Sequence, residues 1–356
     1  MGAGPGMYEG GWVGKLPTQE LSELVLSRVS GLTRLSTTLG PAVGEDAALI
    51  DMGSCVLAVH SDPITEATYR VGAMAIDVAS NDVATRGARP SWAVLDVMMP
   101  AGSRLSSLAA IVEDAAREAE RLGVEIVGGH TEAAPNLTRP IVVATVFGCA
   151  CNGCAIRTGG ARAGDLVVQV GPAALEATVI TAVDFKEEAM SRGVAQDTLS
   201  EALKLFEGLS VVNYALALAE EGVVTSMHDV TEGGLLGALY ELALASGKDV
   251  EVDGDRVRVL DLTRDILGAL SVDPLKAMGS GALVATVPPE RAGEAESVLM
   301  RLGVEHSFIG RVGGASRSPV VKVSRGGVQE VYSSQPIDEV SKLWARRRRG
   351  SSPSPW

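Results

Sequence analysis

The sequence predicts an α/β (α+β) fold in two domains, and three observations predict it. The chain has 356 residues, of which 46% are hydrophobic, enough for two domains of ordinary size. Runs rich in β-branched residues alternate with segments of helical period in both halves. Between the halves lies a polar, glycine-rich connector, Arg157–Thr158–Gly159–Gly160–Ala161–Arg162–Ala163–Gly164–Asp165, of the kind that separates domains.

Taken in order, residues 1–16 are glycine-rich and read as a flexible N-terminal segment. A first domain follows over 17–156. Leu21, Leu24, Val25 and Val29 recur at helical spacing, with Thr18 as the N-cap. Strands are expected at Ala47 to Ile50 and Cys55 to His60. Val71, Met74, Ala75, Val78 and Val83 mark a long helix closed by Gly87. Trp92 to Met98 reads as a strand and Leu105 to Leu122 as a helix stopped by Gly123. Val124 to Val127 and Ile141 to Phe147 complete this half. The second domain spans 157–335. It opens on a strand at Leu166 to Val170 and has helices near 175–190, 199–206, 211–221 and 235–245. Its strands lie near 223–227, 250–252, 282–287 and 305–312, and a hairpin, 320–323 with 328–331, turns at Gly326–Gly327. Residues 336–356 read as a basic, disordered tail.

Composition excludes several classes. With 31 basic and 44 acidic residues the net charge is −13, so no broad basic surface exists to neutralise nucleic-acid phosphates. The run Arg346 to Arg349 reads as a solvated end. The longest uncharged stretch, Pro140 to Ile156, contains a proline, an asparagine and three cysteines, a strand running into a loop rather than a membrane span. Residues 1–14 are glycine-rich, without Lys, Arg or an apolar core run, so no secretory signal is expected, and four cysteines are too few for a disulfide scaffold. A cytoplasmic location is expected.

Walker A, Gly-x-Gly-x-x-Gly and Gly-x-Ser-x-Gly motifs are all missing. What the first half offers is acidic residues at strand ends or beside glycines: Glu45–Asp46, Asp62, Asn81–Asp82 inside an apolar helix pattern, and Gly128–Gly129–His130–Thr131–Glu132 ending a strand. Carboxylates gathered at one end of a sheet suit a hard cation such as Mg²⁺; the bland alternative is solvated turns and caps. In the second half, His228–Asp229–Val230–Thr231–Glu232–Gly233–Gly234 precedes a helix. Its glycines would let backbone N–H groups approach an anion, and Asp229 could move a proton or bind a cation. The alternative is a helix start capped by Thr231. Cys149, Cys151 and Cys154 form Cys–Ala–Cys–Asn–Gly–Cys. Three local sulfurs are one short of a structural zinc site, so inert thiols or a local disulfide are expected ahead of a metal.

Read in order, Gly44–Glu45–Asp46–Ala47–Ala48, Ser61–Asp62, Asn81–Asp82–Val83–Ala84, Gly128–Gly129–His130–Thr131, Arg157 to Asp165, His228 to Gly234 and Ser280–Gly281–Ala282–Leu283 form a series. It resembles the aminoimidazole ribonucleotide synthetase (PurM-like) superfamily, and most of all its hydrogenase-maturation HypE branch. The resemblance covers about Lys15 to Val331.

It implies an N-terminal ATP-binding domain whose sheet pairs with that of a second subunit in a homodimer, and a C-terminal α/β domain. It further implies ATP and Mg²⁺ as cofactors and phosphoryl transfer to an amide or carbonyl oxygen of an unidentified acceptor, a small molecule or a protein. By the same resemblance Asp46, Asp62 and Asp82 would hold the metal, with Asn81 supporting them. Gly128, Gly129, His130 and Thr131 would line the nucleotide. Gly233 and Gly234 would face the phosphates, and Asp82 and Asp229 would serve catalysis. His130 has a second reading as a satisfied strand-end histidine.

Two departures bear on the acceptor. No cysteine follows Cys154, whereas HypE-type proteins react on a C-terminal cysteine, and Glu232 stands where Arg is common in that branch. Alternatives are therefore a hydrogenase-maturation factor working with a separate cysteine-bearing partner, or a nucleotide-binding scaffold without turnover.

Overall fold

In the computed structural model, which describes residues 7–8, 11–12, 15–29 and 34–350, the first half builds a six-stranded sheet. Its elements are β1 (Thr37–Leu39), β2 (Ala48–Asp51), β3 (Val56–Ile64), α1 (Val71–Thr85), β4 (Arg89–Pro100), α2 (Leu105–Leu122), β5 (Glu125–Ala134) and β6 (Ile141–Ala150). The strand order is β1-β2-β3-β6-β4-β5. All neighbours are antiparallel except β4 and β5. Alternation along β6 sends Val142, Ala144 and Val146 under α1, which is buried along its whole length. Ile141, Val143 and Phe147 point to the opposite face and are only half-buried. On that face Trp92 is 42% exposed.

Strand β5 corrects the expected short strand ending before Gly128. It runs on through Gly128, Gly129, His130 and Thr131 as an edge strand, almost all of it exposed. Its polar sequence lacks the alternation of a half-buried strand because only its edge pairing with β4 is used. Gly129 is required there: a Cβ would sit 1.8 Å from the Leu95 carbonyl oxygen.

The second half contains β7 (Leu166–Val170), α3 (Leu175–Asp184), α4 (Lys186–Ser191), α5 (Gln196–Ala202), α6 (Val212–Glu220), β8 (Ser226–Asp229), α7 (Gly234–Ser246), β9 (Lys248–Asp253), α8 (Asp261–Ala269), β10 (Leu283–Val287), α9 (Ala292–Leu302), β11 (His306–Ala315), β12 (Val321–Arg325) and β13 (Val328–Tyr332). The helix expected over 175–190 breaks at Phe185, and α8 carries no expectation from the sequence. The seven strands are ordered β8-β10-β7-β11-β9-β12-β13. One face packs on α7 through Val167, Val284 and Ile309. The other packs on α6 and α9 through Val168, Leu283 and Ala285. Two-sided burial explains why β7 and β10 read as continuous apolar runs.

The largest core cluster crosses the connector. It joins α1 residues such as Met74 and Val78 to Leu175, Val179 and Ile180 of α3 and to Phe206. The run 196–220 is long and apolar enough to cross a membrane by length and composition, but Leu199, Phe206, Ala215 and Leu218 along it are buried in the protein.

The tail expected to lack order instead forms α10 (Glu339–Gly350). Val340 and Leu343 are buried, and the Trp344 ring packs against Phe185 at 4.7 Å while its indole N–H donates to the Glu66 carbonyl at 3.0 Å. Residues 351–356 of that tail, and 1–6, 9–10 and 13–14 of the N-terminal segment, lie outside the described residues.

Close packing of α1 on α2 rests on Gly72, where a Cβ would lie 2.1 Å from the Ile111 carbonyl oxygen. Gly72→Ala should therefore destabilise the protein by about 1–3 kcal/mol through overpacking. Urea unfolding checks this, and an unchanged midpoint would show that the two helices separate freely.

Candidate functional site

The site begins with the turn before β2. Gly44, at φ +76°, lies so close to α7 that a Cβ would meet the Glu241 carbonyl oxygen at 2.6 Å. That approach puts Glu45 and Asp46 at the junction of the domains. Arg86, just past the end of α1 and fully buried, reaches both. Its Nη1 donates to Glu45 at 2.9 Å and to the Thr158 hydroxyl at 3.0 Å. Its Nη2 donates to Asp46 at 2.7 Å and to the Met227 carbonyl at 2.5 Å. Glu45 also accepts from the backbone N–H groups of Thr158 and Gly159 at 3.0 and 3.1 Å.

Asp46 has partners at both oxygens. One oxygen accepts from Arg86 and from the Thr85 hydroxyl, and the other is paired with His228 Nδ1. Burial works against its charge, yet Arg86 and His228 hold its pKa well below the usual carboxylate range. His228 continues the chain, its Nε2 lying 3.0 Å from Glu241, which in turn accepts from Lys15 Nζ at 2.8 Å and Gln335 Nε2 at 3.2 Å. Burial disfavours the imidazolium, but Asp46 and Glu241 raise the His228 pKa to about 10. Glu241 is held at about 2 against its burial, with the Lys15 charge foremost. Asp46, expected as a metal ligand, is held by Arg86 and His228 and also belongs, with His228 and Asp229, to a group close enough to share an ion; Lys15, expected in a flexible segment, belongs to the site.

A second group of carboxylates has no such partners. Asp82 on α1, Asp62 on β3 and Asp229 at the end of β8 converge on one cleft, of about 410 Å³ in its main part and extending past Asp46, His228 and Asp229. Asp82 and Asp62 lie with His60 close enough to share an ion, and Asp229 stands in the same relation to Asp46 and His228. Among the described residues, both oxygens of Asp229 and Oδ2 of Asp82 are buried without a hydrogen bond; His60 Nε2 stands 3.5 Å from Asp82. Desolvation first, and then the neighbouring carboxylates, push Asp82 well above its ordinary range. Burial and Asp46 push Asp229 to about 7 against His228 and Arg86. Asp62 is raised by burial, against His60 and Lys15. Buried carboxylate oxygens that repel one another and lack donors are what a divalent cation with oxygen ligands would satisfy. The donor set fits Mg²⁺.

Three other expectations are corrected. Asn81 does not face the cleft: its Nδ2 donates to the Leu209 carbonyl at 2.9 Å and its Oδ1 accepts from the Val211 N–H at 2.7 Å, so it stitches α1 to the loop before α6. Gly233, not Thr231, caps α7, and its N–H donates to Asp338 at 2.8 Å. The Gly234 N–H is turned back to the Thr231 carbonyl at 3.1 Å, so these glycines offer no open anion cradle. Gly234 is needed for packing, since a Cβ would lie 2.7 Å from the Leu275 and Ala277 carbonyl oxygens.

Gly128, Gly129, His130 and Thr131 lie away from this chain's own cleft. Asp62 pairs with Ala144, Ala144 with Leu95, and Leu95 with Gly129. Gly129 is thus three strands from Asp62, about 14 Å at the usual strand spacing.

Two cleft residues, Glu66 and Glu176, carried no individual signal in the sequence. With Glu232 and Ser280 they line its far wall, the Ser280 N–H donating to Glu176 at 3.2 Å. Burial, then Glu66, raises Glu232 to about 7 despite Lys15. His228 sat within a noticed motif, but its partner Glu241 lies a helix away.

The fold has counterparts. The family model described as AIR synthase related protein, N-terminal domain, matches residues 44–150, and its C-terminal counterpart matches 162–322. A carbamoyl dehydratase HypE from Azotobacter vinelandii is 30% identical over 245 residues, covering 67% of this chain and 69% of that protein. A thiamine-monophosphate kinase from Halobacterium salinarum is 30% identical over 296 residues, covering 82% and 92%. Among solved structures, a hydrogenase maturation protein HypE in complex with ATP superposes with a TM-score of 0.67 at 22% identity, covering 91% of this chain and 96% of that one.

Two predictions follow from the charges. Arg86→Met leaves Glu45 and Asp46 buried without their cation and should cost about 3–5 kcal/mol in chemical denaturation; a loss under 1 kcal/mol (roughly the worth of a surface pair) would contradict the burial argument. Asp229 titrates near 7 when folded against 3.8 ordinarily, so the folded, metal-free protein binds the extra proton between those values. Its contribution to stability therefore falls as pH rises from about 4 to 7. The Mg²⁺-induced rise in Tm should be larger at pH 8 than at pH 5, and this dependence should shrink in Asp229→Asn, with the raised Asp82 and Asp62 keeping the rest. Equal rises at both pH values would remove Asp229 from the cation site.

Proposed function

The chain belongs to the AIR synthase related, PurM-like family, and we propose that it is an ATP- and Mg²⁺-dependent enzyme that phosphorylates an amide or carbonyl oxygen. The observation that carries this reading is the set of buried, donor-free carboxylates Asp82 and Asp229 facing Asp62 across one cleft. Asp62, Asp82 and Asp229 would hold the ion, which when bound supplies positive charge to nucleotide phosphates. Lys15, whose charge Glu241, Glu232 and Asp62 sustain against burial, would stand beside the same phosphates. Asp229, which a bound ion would hold deprotonated, would stand beside the acceptor as a base. Phosphorylating an amide oxygen makes it a leaving group, and positioning with electrostatics would supply most of the rate.

We further assign the enzyme a homodimeric, cytoplasmic form. The half-buried face of the first sheet, with Phe147, Val143 and Trp92, supports a partner there. The exposed β5 residues Gly128 to Thr131, too far from their own cleft, would complete the nucleotide site of the second copy.

The acidic far wall of Glu66, Glu176 and Glu232 favours a neutral or cationic acceptor. A second reading, hydrogenase maturation with a cysteine-bearing partner protein, takes its support from the relatives named as HypE and from a solved structure titled as a HypE–HypF complex.

Calorimetric titration with ATP tests the nucleotide half. Binding should require Mg²⁺ and weaken at least about tenfold in Asp82→Asn, a loss of roughly 1.4 kcal/mol. Equal affinity with and without Mg²⁺ overturns it. Mixing inactive Asp82→Asn chains with inactive Thr131→Ala chains tests sharing. Random exchange gives hybrids with one intact site, so about a quarter of wild-type ATP turnover should return; no recovery in verified hybrids overturns the shared site.

A further inference from the structure

All four cysteines of the chain meet at one corner of the first sheet. Val56 pairs with Ala150 and Leu57 with Cys149, so continuing the register places Cys55 opposite Cys151. Cys149 and Cys151, two residues apart, share the sheet face turned away from α1. The Sγ atoms of Cys55 and Cys149 are 2.9 Å apart, and Cys151 is joined to Cys154 as a disulfide. The turn that presents the last pair is well defined. The Cys154 N–H donates to the Cys151 carbonyl at 3.0 Å, and Gly153 takes φ +80°. Asn152 Nδ2 donates to the Gly53 carbonyl at 2.8 Å, clamping this turn to the β2–β3 turn that carries Cys55. The fold thus brings to the three local sulfurs the fourth that sequence alone could not place.

We propose that Cys55, Cys149, Cys151 and Cys154 form a tetrathiolate site that takes one Zn²⁺ when the protein is reduced. Zinc–sulfur bonds of about 2.3 Å in a tetrahedron put sulfurs roughly 3.8 Å apart, so binding would part Cys55 from Cys149 and, once the disulfide opens, draw Cys151 and Cys154 in toward that pair. The Cys151–Cys154 bond first accepts two electrons and two protons from a dithiol, which leaves as its own disulfide. Zn²⁺ then displaces the four thiol protons and binds four thiolates, giving a site of net charge −2. All four ligands lie in turns or at strand ends, so the ion would staple the β2–β3 turn to the end of β6. This site is separate from the acidic cleft and has no part in nucleotide chemistry.

The test uses the full chain, reduced with dithiothreitol, loaded with zinc and desalted without oxygen. Elemental analysis should find one zinc per chain, falling below about a tenth in Cys149→Ser and in Cys154→Ser, since a site with three thiolates binds far more weakly. Asp229→Asn should keep its zinc. Cobalt(II) in the wild-type protein should give thiolate charge-transfer and tetrahedral d–d absorption, a readout independent of whether the variants fold. Two disulfides with no metal uptake after reduction, zinc retained in Cys154→Ser, or cobalt spectra without thiolate bands would each overturn the proposal.

Discussion

A guanidinium with no exposed surface must be satisfied wholly by the protein, and Arg86 is satisfied from both domains at once. Glu45 and Asp46 come from the turn before β2, Thr158 from the connector, and the Met227 carbonyl from β8. Removing any one would leave a buried charge or dipole short of a partner, which costs far more than a surface contact. This requirement fixes the end of α1 against the connector. It also fixes where Asp82, one turn earlier on α1, meets Asp229 at the end of β8.

The chemistry of the cleft follows from how the surrounding charges are allotted. Arg86, His228 and Lys15 neutralise Glu45, Asp46 and Glu241 in a continuous chain. Among the described residues nothing comparable is left for Asp62, Asp82 and Asp229. His60, the nearest base, has its pKa lowered by burial, against Asp62 and Asp46, so it offers little charge. The same invariant of charge balance that makes one half of the cluster rigid leaves the other half hungry for a cation. The protonation of Asp229 near 7 is the protein's own partial answer when no ion is present.

How much of this was legible in the sequence depended on whether the deciding partner was local. The long α1 helix, its stop at Gly87 and the helix Leu105–Leu122 were readable because period and C-terminal glycine are local signals. Asp82 stood out as a carboxylate in an apolar pattern, where an unpaired charge is costly. Asn81 beside it gave the same signal and proved structural, because its partners are backbone groups near Leu209 and Val211. Gly233 and Gly234 looked like an anion cradle, but Asp338, over a hundred residues later, takes the free N–H. Such partners are set by tertiary packing and leave no trace in spacing. The same holds for Cys55, which the β3–β6 pairing carries to the other cysteines.

Both described ends of the chain close on the cleft, and this bears on what can enter. Lys15 and Gln335 both reach Glu241, Asp338 caps α7, and Trp344 and Ser341 hold Glu66 through its carbonyl and carboxylate. The wall they support carries Glu66, Glu176 and Glu232, opposite the carboxylates that would hold the ion. An acceptor bearing its own phosphate would meet repulsion from that wall, with no guanidinium among the described lining residues to offset it. A neutral amide would instead find hydrogen-bond partners, and a Glu232 carboxyl poised near 7 can donate as well as accept. On the proposed function, this distribution of charge would put the phosphates on the Asp82 side and an uncharged or cationic acceptor on the Glu232 side, a division imposed by the residues of one cleft.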